Sequence, residues 1–365
     1  MSSSPQRTKS LIIAGGGTGG HVLAGVAIAD AWKKRYENYG GRIVFVGAKG
    51  GIEEKLVPRA GYPLELLALG SLKGVGWKKR LRTIFQIPFS LLRSLAILLS
   101  VKPDAVIGVG GYASGPLVLM ARWVGWLWGA RVAILEQNAV PGLTNRLLGR
   151  FVHVVLSAFP GVDDKFPGTT VKVTGNPVRA SIIHVPSAPR EPFTIFIFGG
   201  SQGALGINTL LLDSLPLLED LKPRLRFIHQ TGEKDYERVV AGHLREGTNA
   251  RVEKFIYDMP TAYSEASLVI CRAGSSTLSE LAAVGRASVL IPFPHASDNH
   301  QEKNARIFTD VGAARLLVQF ESKGEDLAYL IRECMEDPKR VDLMEAEVRK
   351  FFQEDAAGRL VSELA

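Results

Sequence analysis

A glycine-rich turn following an apolar run occurs twice in this chain, and it constrains the fold more than any other feature. Near the start, Leu11-Ile12-Ile13-Ala14 leads into Gly15-Gly16-Gly17-Thr18-Gly19-Gly20-His21. Later, Phe193-Thr194-Ile195-Phe196-Ile197-Phe198 leads into Gly199-Gly200-Ser201-Gln202-Gly203-Ala204. A helix-like pattern follows each turn. Glycines let backbone N–H groups come close to a ligand, and the next helix offers its positive end. Such a turn suits a phosphate or a sugar oxygen. It also suits a plain packing contact between helix and sheet, so one copy says little. Two copies, one per half, predict an α/β chain of two Rossmann-like parallel-sheet domains facing each other across a cleft.

The pattern along the chain agrees. Strand-like runs in the front half are Leu11–Ala14, Arg42–Val46, Asp104–Val109, Arg131–Leu135, His153–Leu156 and Val171–Thr174. The back half offers Phe193–Phe198, Leu225–Gln230, Arg251–Phe255, Leu268–Cys271, Ser288–Ile291 and Ala314–Val318. Helical stretches separate most of them, which implies crossover connections and parallel sheets with functional loops at the carboxyl ends of the strands. At 365 residues there is room for two domains. The expected division is an acceptor- and membrane-binding domain over 1–178, a linker over 179–192, a donor-binding domain over 193–345 and a terminal helix over 346–365 able to return to the first domain. Pro177, Pro186, Pro189 and Pro192 mark the linker.

Charge is unevenly placed. Residues 1–180 hold 23 Lys and Arg against 9 Asp and Glu, and the rest of the chain is net acidic. The front half is therefore expected to meet an anionic surface. From Leu66 to Pro103 there is no acidic residue but seven basic ones, including Lys78, Lys79, Arg80 and Arg82. Trp77, Leu81, Ile84 and Phe85 share one helical face within that window. With the charge asymmetry as the deciding weight, this is expected to be an interfacial segment on anionic lipid rather than a core helix with a solvated basic face. The run Phe89–Leu99 is too short to span a bilayer and contains Arg93, so it is expected in the core. Trp123, Trp126 and Trp128 read either as core or as an extension of the membrane patch. Cys271 and Cys334 supply neither a disulfide framework nor metal-site spacing, and no protein-bound metal is expected. The polar stretch Met1–Ser10 lacks a signal-peptide core.

Polar clusters stand at the predicted strand ends: Gly17–His21, Gly110–Pro116, Glu136–Asn145, Gly199–Gly203, Arg272–Glu280 and Asp298–Asn304. In this order, and over nearly the whole chain, they resemble the MurG family of N-acetylglucosaminyltransferases, which convert lipid I to lipid II in bacterial peptidoglycan synthesis. The resemblance implies a GT-B fold and an inverting transfer from UDP-GlcNAc to the MurNAc 4-hydroxyl. It further implies a peripheral position on the cytoplasmic face of the inner membrane, among other cell-wall synthesis proteins. No resident cofactor is implied, although a divalent cation riding on the diphosphate is compatible with it.

Residue by residue, the family match puts Thr18, Gly19 and Gly20 near the donor diphosphate–sugar, with Thr18 also near the acceptor pyrophosphate. His21 follows the turn, where it could take a proton from an attacking hydroxyl or contact the acceptor. Tyr112 sits in a glycine loop suited to acceptor positioning. By resemblance Asn138 and Gln301 meet the donor sugar, Arg179 and Ser201 the rest of the donor, and Ile256 the uracil. Ser275, Ser276, Thr277, Leu278, Ser279 and Glu280 form a donor loop entering a helix. Glu280 can accept two hydrogen bonds from a ribose, as acidic residues do in dinucleotide sites. The three polar residues Glu136, Gln137 and Asn138 are expected to meet ligand. Leu135 stands where some family members carry histidine.

Other readings meet obstacles. A UDP-GlcNAc 2-epimerase would not call for the acid-free basic segment or the Tyr112 loop. A dinucleotide oxidoreductase needs an acid ending the second strand, where Gly47-Ala48-Lys49 stands. No nucleic-acid-binding motif is present, so no nucleic-acid partner is expected.

Overall fold

Apolar residues that alternate along a strand must be buried on both sides when helices cover both faces of a sheet, and the first run shows this. Leu11 and Ile13 join one hydrophobic cluster, Ile12 and Ala14 another. The computed structural model describes residues 9–37, 41–70, 77–186, 189–200 and 202–365, with side chains at 77–82 and 84 left out. It comprises two compact units: residues 1–178 with 354–365, and residues 179–353.

The first unit contains β1 (Ser10–Gly15), β2 (Arg42–Ala48), β3 (Leu64–Leu67), β4 (Ala105–Gly110), β5 (Arg131–Glu136), β6 (Val154–Ser157) and β7 (Val171–Val173). They lie in the order β3-β2-β1-β4-β5-β6-β7, and the pairings are parallel. The second unit contains β8 (Phe193–Phe198), β9 (Leu225–Gln230), β10 (Ala250–Glu253), β11 (Leu268–Cys271), β12 (Ser288–Leu290) and β13 (Arg315–Leu316). Their order, β10-β9-β8-β11-β12-β13, repeats the plan of the first six strands before it, again in parallel. In both sheets the strand order reverses direction beside the first strand, between β1 and β4 and between β8 and β11. That is the crevice where open α/β sheets take ligands, and both glycine turns issue from it.

Three expectations are corrected. Residues 179–192 are not a free linker. They hold the short helix Ala180–Ile183. They are also pinned to the second unit: Arg190 pairs with Asp342 and Glu345, Ser267 Oγ donates to Pro189 O at 3.0 Å, and Arg286 donates to Pro186 O. The terminal segment is not one helix, because Pro338–Arg349 and Ala356–Leu364 are separate. The second of these belongs to the first unit, where Leu360, Val361 and Leu364 share a core with Trp32 and Ile28.

The third correction concerns Phe89–Leu99, which is not uniformly core. In the helix Trp77–Val101, Ser90, Ser94, Ile97 and Leu98 face inward. Phe85, Phe89, Leu92 and Leu99 are exposed, Phe85 and Phe89 by more than 70 %. The serines can turn inward because their hydroxyls donate to backbone carbonyls, Ser94 Oγ to Ser90 O at 2.7 Å and Ser90 Oγ to Ala68 O at 3.4 Å. The expected face of Trp77, Lys78, Lys79, Arg80, Leu81, Arg82 and Ile84 lies outside the described side chains. Trp123, in the last turn of the helix Ser114–Val124, and Trp126 and Leu127 just after it are also exposed, and Trp128 is half-buried.

Candidate active site

On the first unit, the turn after β1 is held from several sides. Gly16 N donates to Gly110 O at 3.1 Å, tying it to the end of β4. Thr18 caps the helix Gly19–Arg35, its hydroxyl accepting from His21 N at 3.4 Å. Gly19 and Gly20 open that helix and leave first-turn N–H groups directed along its axis. His21 Nδ1 lies 3.0 Å from Gly16 O. A carbonyl only accepts, so Nδ1 carries the proton there, and in the neutral ring Nε2 is the acceptor. A Cβ on Gly110 would lie 2.8 Å from His21 Nε2, so this residue, at φ +104°, must remain glycine for the ring to sit where it does. Tyr112, two residues on, is partly exposed.

The loop after β5 departs from expectation. Glu136 and Gln137 are almost completely buried. Glu136 faces inward and accepts from Asn138 N at 2.9 Å, Gly142 N at 3.1 Å and Asn145 Nδ2 at 2.9 Å. Burial pushes its carboxyl above the usual range, and these hydrogen bonds work against the rise. Glu136 therefore shapes the loop, and Asn138 is the member of the triplet that remains half-open.

On the second unit, Gln230, at the end of β9, donates from Nε2 to Gly200 O at 2.9 Å and accepts at Oε1 from Ile256 N at 2.8 Å. It thus links the second glycine turn to Ile256, which is itself 2 % exposed. Ser201 lies outside the described residues. After β11 the chain enters the helix Ser275–Val284 with Gly274 as its cap. Leu278 N donates to Gly274 O, so the N–H groups of Ser275, Ser276 and Thr277 are the first-turn donors, a fit for phosphate oxygens. The Leu278 side chain is fully buried, which confines any ligand role to its backbone. Ser279 Oγ donates to Ser275 O at 2.9 Å.

Glu280 is paired within the second unit. Its Oε1 accepts from Arg179 Nη2 at 3.0 Å and its Oε2 from the Tyr263 hydroxyl at 3.1 Å. Arg179 and Glu280, both expected at the donor, are thus brought together. Gln301 Oε1 accepts from Phe293 N at 2.9 Å, which anchors its loop. Sequence reasoning missed Tyr263 and Gln230 and, in the Arg272–Glu280 cluster, gave no role to Arg272. The last is mostly buried and donates to Ile291 O, Pro292 O and Gln319. Burial lowers its pKa to about 10.

Residues 11–157 match the glycosyltransferase family 28 N-terminal domain and residues 194–360 the family 28 C-terminal domain. The chain belongs to glycosyltransferase family 28. Among its relatives, one from Myxococcus xanthus is 46% identical over 96% of this chain and 91% of the relative. One from Citrifermentans bemidjiense is 44% identical over 96% of this chain and 98% of the relative. Both are named UDP-N-acetylglucosamine--N-acetylmuramyl-(pentapeptide) pyrophosphoryl-undecaprenol N-acetylglucosamine transferase. The crystal structure of Acinetobacter baumannii MurG is 33% identical, with a TM-score of 0.77 over 98% of this chain and 99% of that one. A UDP-GlcNAc 2-epimerase from Neisseria meningitidis, 14% identical at a TM-score of 0.67 over 98% of this chain and 99% of that one, shares the fold alone. Each family 28 domain thus carries one glycine turn, at the end of its first strand.

Proposed function

We propose that this chain transfers N-acetylglucosamine from UDP-GlcNAc to the 4-hydroxyl of the MurNAc unit of lipid I, giving lipid II and UDP. The observation that carries this reading is the likeness to transferases of that name over 96% of the chain. The hydroxyl oxygen attacks the anomeric carbon from the face opposite the phosphate. The carbon–phosphate-oxygen bond breaks, and the configuration inverts to a β-1,4 link. His21 Nε2 takes the hydroxyl proton. The donors at Ser275, Ser276 and Thr277, with Ser201, meet the charge that develops on the departing diphosphate. Glu280 and Arg179 serve the ribose side, Ile256 the uracil, and Asn138 and Gln301 the sugar. Thr18, Gly19 and Gly20 serve the donor diphosphate–sugar, and Thr18 and Tyr112 the acceptor. No side-chain metal site is part of this reading, and a divalent cation would enter only with the diphosphate.

The first unit's exposed apolar side chains, Phe85, Phe89, Leu92, Trp123, Trp126 and Leu127, support peripheral docking on an anionic membrane, on the same side of the bilayer as the nucleotide donor. Among the described residues no helix is long and apolar enough to cross a membrane. The decisive assay is formation of a disaccharide product from UDP-GlcNAc and a short-chain lipid I analogue. Hydrolysis of UDP-GlcNAc without that product, or its conversion to the 2-epimer, would overturn the proposal.

A further inference from the structure

Glu53 is the first residue of the helix Glu53–Arg59 and is 0% exposed. A lone buried carboxylate is costly unless hydrogen-bonded, and this one accepts twice. Its Oε1 takes Ala48 N, at the end of β2, at 2.9 Å, and its Oε2 takes Gly17 N at 2.9 Å. Three neighbours leave room for it by lacking a side chain. A Cβ on Gly16, Gly47 or Gly51 would lie 2.2, 2.5 and 2.3 Å from Glu53 atoms. The carboxylate is therefore built in beneath the first glycine turn.

Gly17 N and Gly16 O belong to one peptide unit. Its N–H points to Glu53 Oε2, and its carbonyl accepts from His21 Nδ1 at 3.0 Å. A carboxyl oxygen accepting at the N–H end polarises the amide and makes the carbonyl a stronger acceptor. That holds the proton on Nδ1 and keeps Nε2 as the basic nitrogen. The arrangement is a carboxylate–imidazole pair with one peptide bond inserted between the partners. In carboxylate–histidine pairs, the group behind the ring sets its tautomer and orientation.

We propose that Glu53 is a positioning residue for His21, acting through the Gly16–Gly17 peptide; this rests on the reading of His21 as the base. Two readouts separate this role from a merely structural one. The first is the tautomer of His21, read from imidazole nitrogen chemical shifts in histidine-labelled protein and assigned with His21→Ala. The unsubstituted protein is expected to show the Nδ1-protonated form, with the Gly17 amide proton shifted downfield. In Glu53→Gln the ring is expected to become a mixture of tautomers. The second is a double-mutant cycle. Glu53→Gln is expected to lower kcat about tenfold, leave the donor KM within about twofold, and cost nothing further in a His21→Ala background. If Glu53→Gln fails to fold, the tautomer and the Gly17 amide shift of the unsubstituted protein decide alone. An Nε2-protonated ring, an unchanged tautomer in Glu53→Gln, or additive losses would overturn the proposal. Normal turnover by His21→Ala would remove the base reading while leaving the tautomer to decide the clamp.

Discussion

The paired state of Glu280 makes its replacement informative about both stability and binding. In Glu280→Ala two partners are abandoned. The Tyr263 hydroxyl is fully buried, so it is left unsatisfied at a cost of about 1–3 kcal/mol. Arg179 is 32% exposed and can turn to water, so losing its ion pair costs at most about 1 kcal/mol. The stability loss should be about 1–4 kcal/mol. If the carboxylate also holds the ribose, donor binding loses a further charged interaction worth about 1.5–3 kcal/mol, or roughly a 10- to 150-fold rise in Kd. Tyr263→Phe supplies the control. It removes one partner of Glu280, should cost about 1 kcal/mol of stability, and leaves the carboxylate free to meet ribose, with Kd rising less than about threefold. Urea melts and titration calorimetry with UDP on both variants measure the two effects separately. The ribose reading is refuted if Glu280→Ala binds UDP like the parent. It is equally refuted if Kd simply tracks stability across the two variants, since the carboxylate would then only brace the helix start.

Three further outcomes are expected. His21→Ala should lower turnover about 10²–10⁴-fold while UDP affinity by calorimetry stays within about twofold; turnover within threefold of the parent would reduce His21 to a binding role. His229 and His243, buried against each other at 3.2 Å, are held neutral, with pKa values pushed down to about 3 and about 4 by desolvation. Their folded pKa values lie below the unfolded value, so their stability contribution is full above about pH 6.5 and is lost as the pH falls toward 4. Between pH 7 and 5 each should remove about 2 kcal/mol, visible as a falling urea midpoint that His229→Asn partly flattens; an identical slope in that variant counts against the assignment. Finally, replacing Phe85, Phe89 and Trp126 together with serine should weaken binding to anionic vesicles at least about tenfold, since each buried aromatic contributes about 1.5–3 kcal/mol. The same change should spare turnover of a soluble acceptor analogue. Unchanged vesicle binding would send the search for the docking face elsewhere.

The sheet plan was legible because it is written in apolar runs, and most strands were found to within a few residues. Leu64–Leu67 escaped because it is a short edge strand, only half-buried, and carries Glu65. The inward face of Trp77–Val101 was misread because serines, satisfied by carbonyls, took positions that hydrophobicity alone assigns to Phe89 and Leu92. Glycine turns and strand-end polar residues marked the candidate loops, but not what holds them. Glu53 was not singled out by any sequence pattern. The available signal was spatial: Gly16, Gly47 and Gly51, scattered in sequence, converge on one carboxylate. Glu136 was misjudged for the same reason. A polar residue at a strand end can face a ligand or brace a loop, and only its partners distinguish the two.

The last helix, Ala356–Leu364, completes the core of the first unit, beside Trp32. Its Glu363 also pairs with Lys172, and its Ser362 receives Arg35. During synthesis the first unit therefore emerges lacking one wall. Its amino-terminal 178 residues must wait, with an apolar face uncovered, while the whole second unit is translated. Chain order and folding order are thus out of step. A fragment ending near Val178 should need either a chaperone or the last twelve residues supplied as a separate peptide to become a compact body.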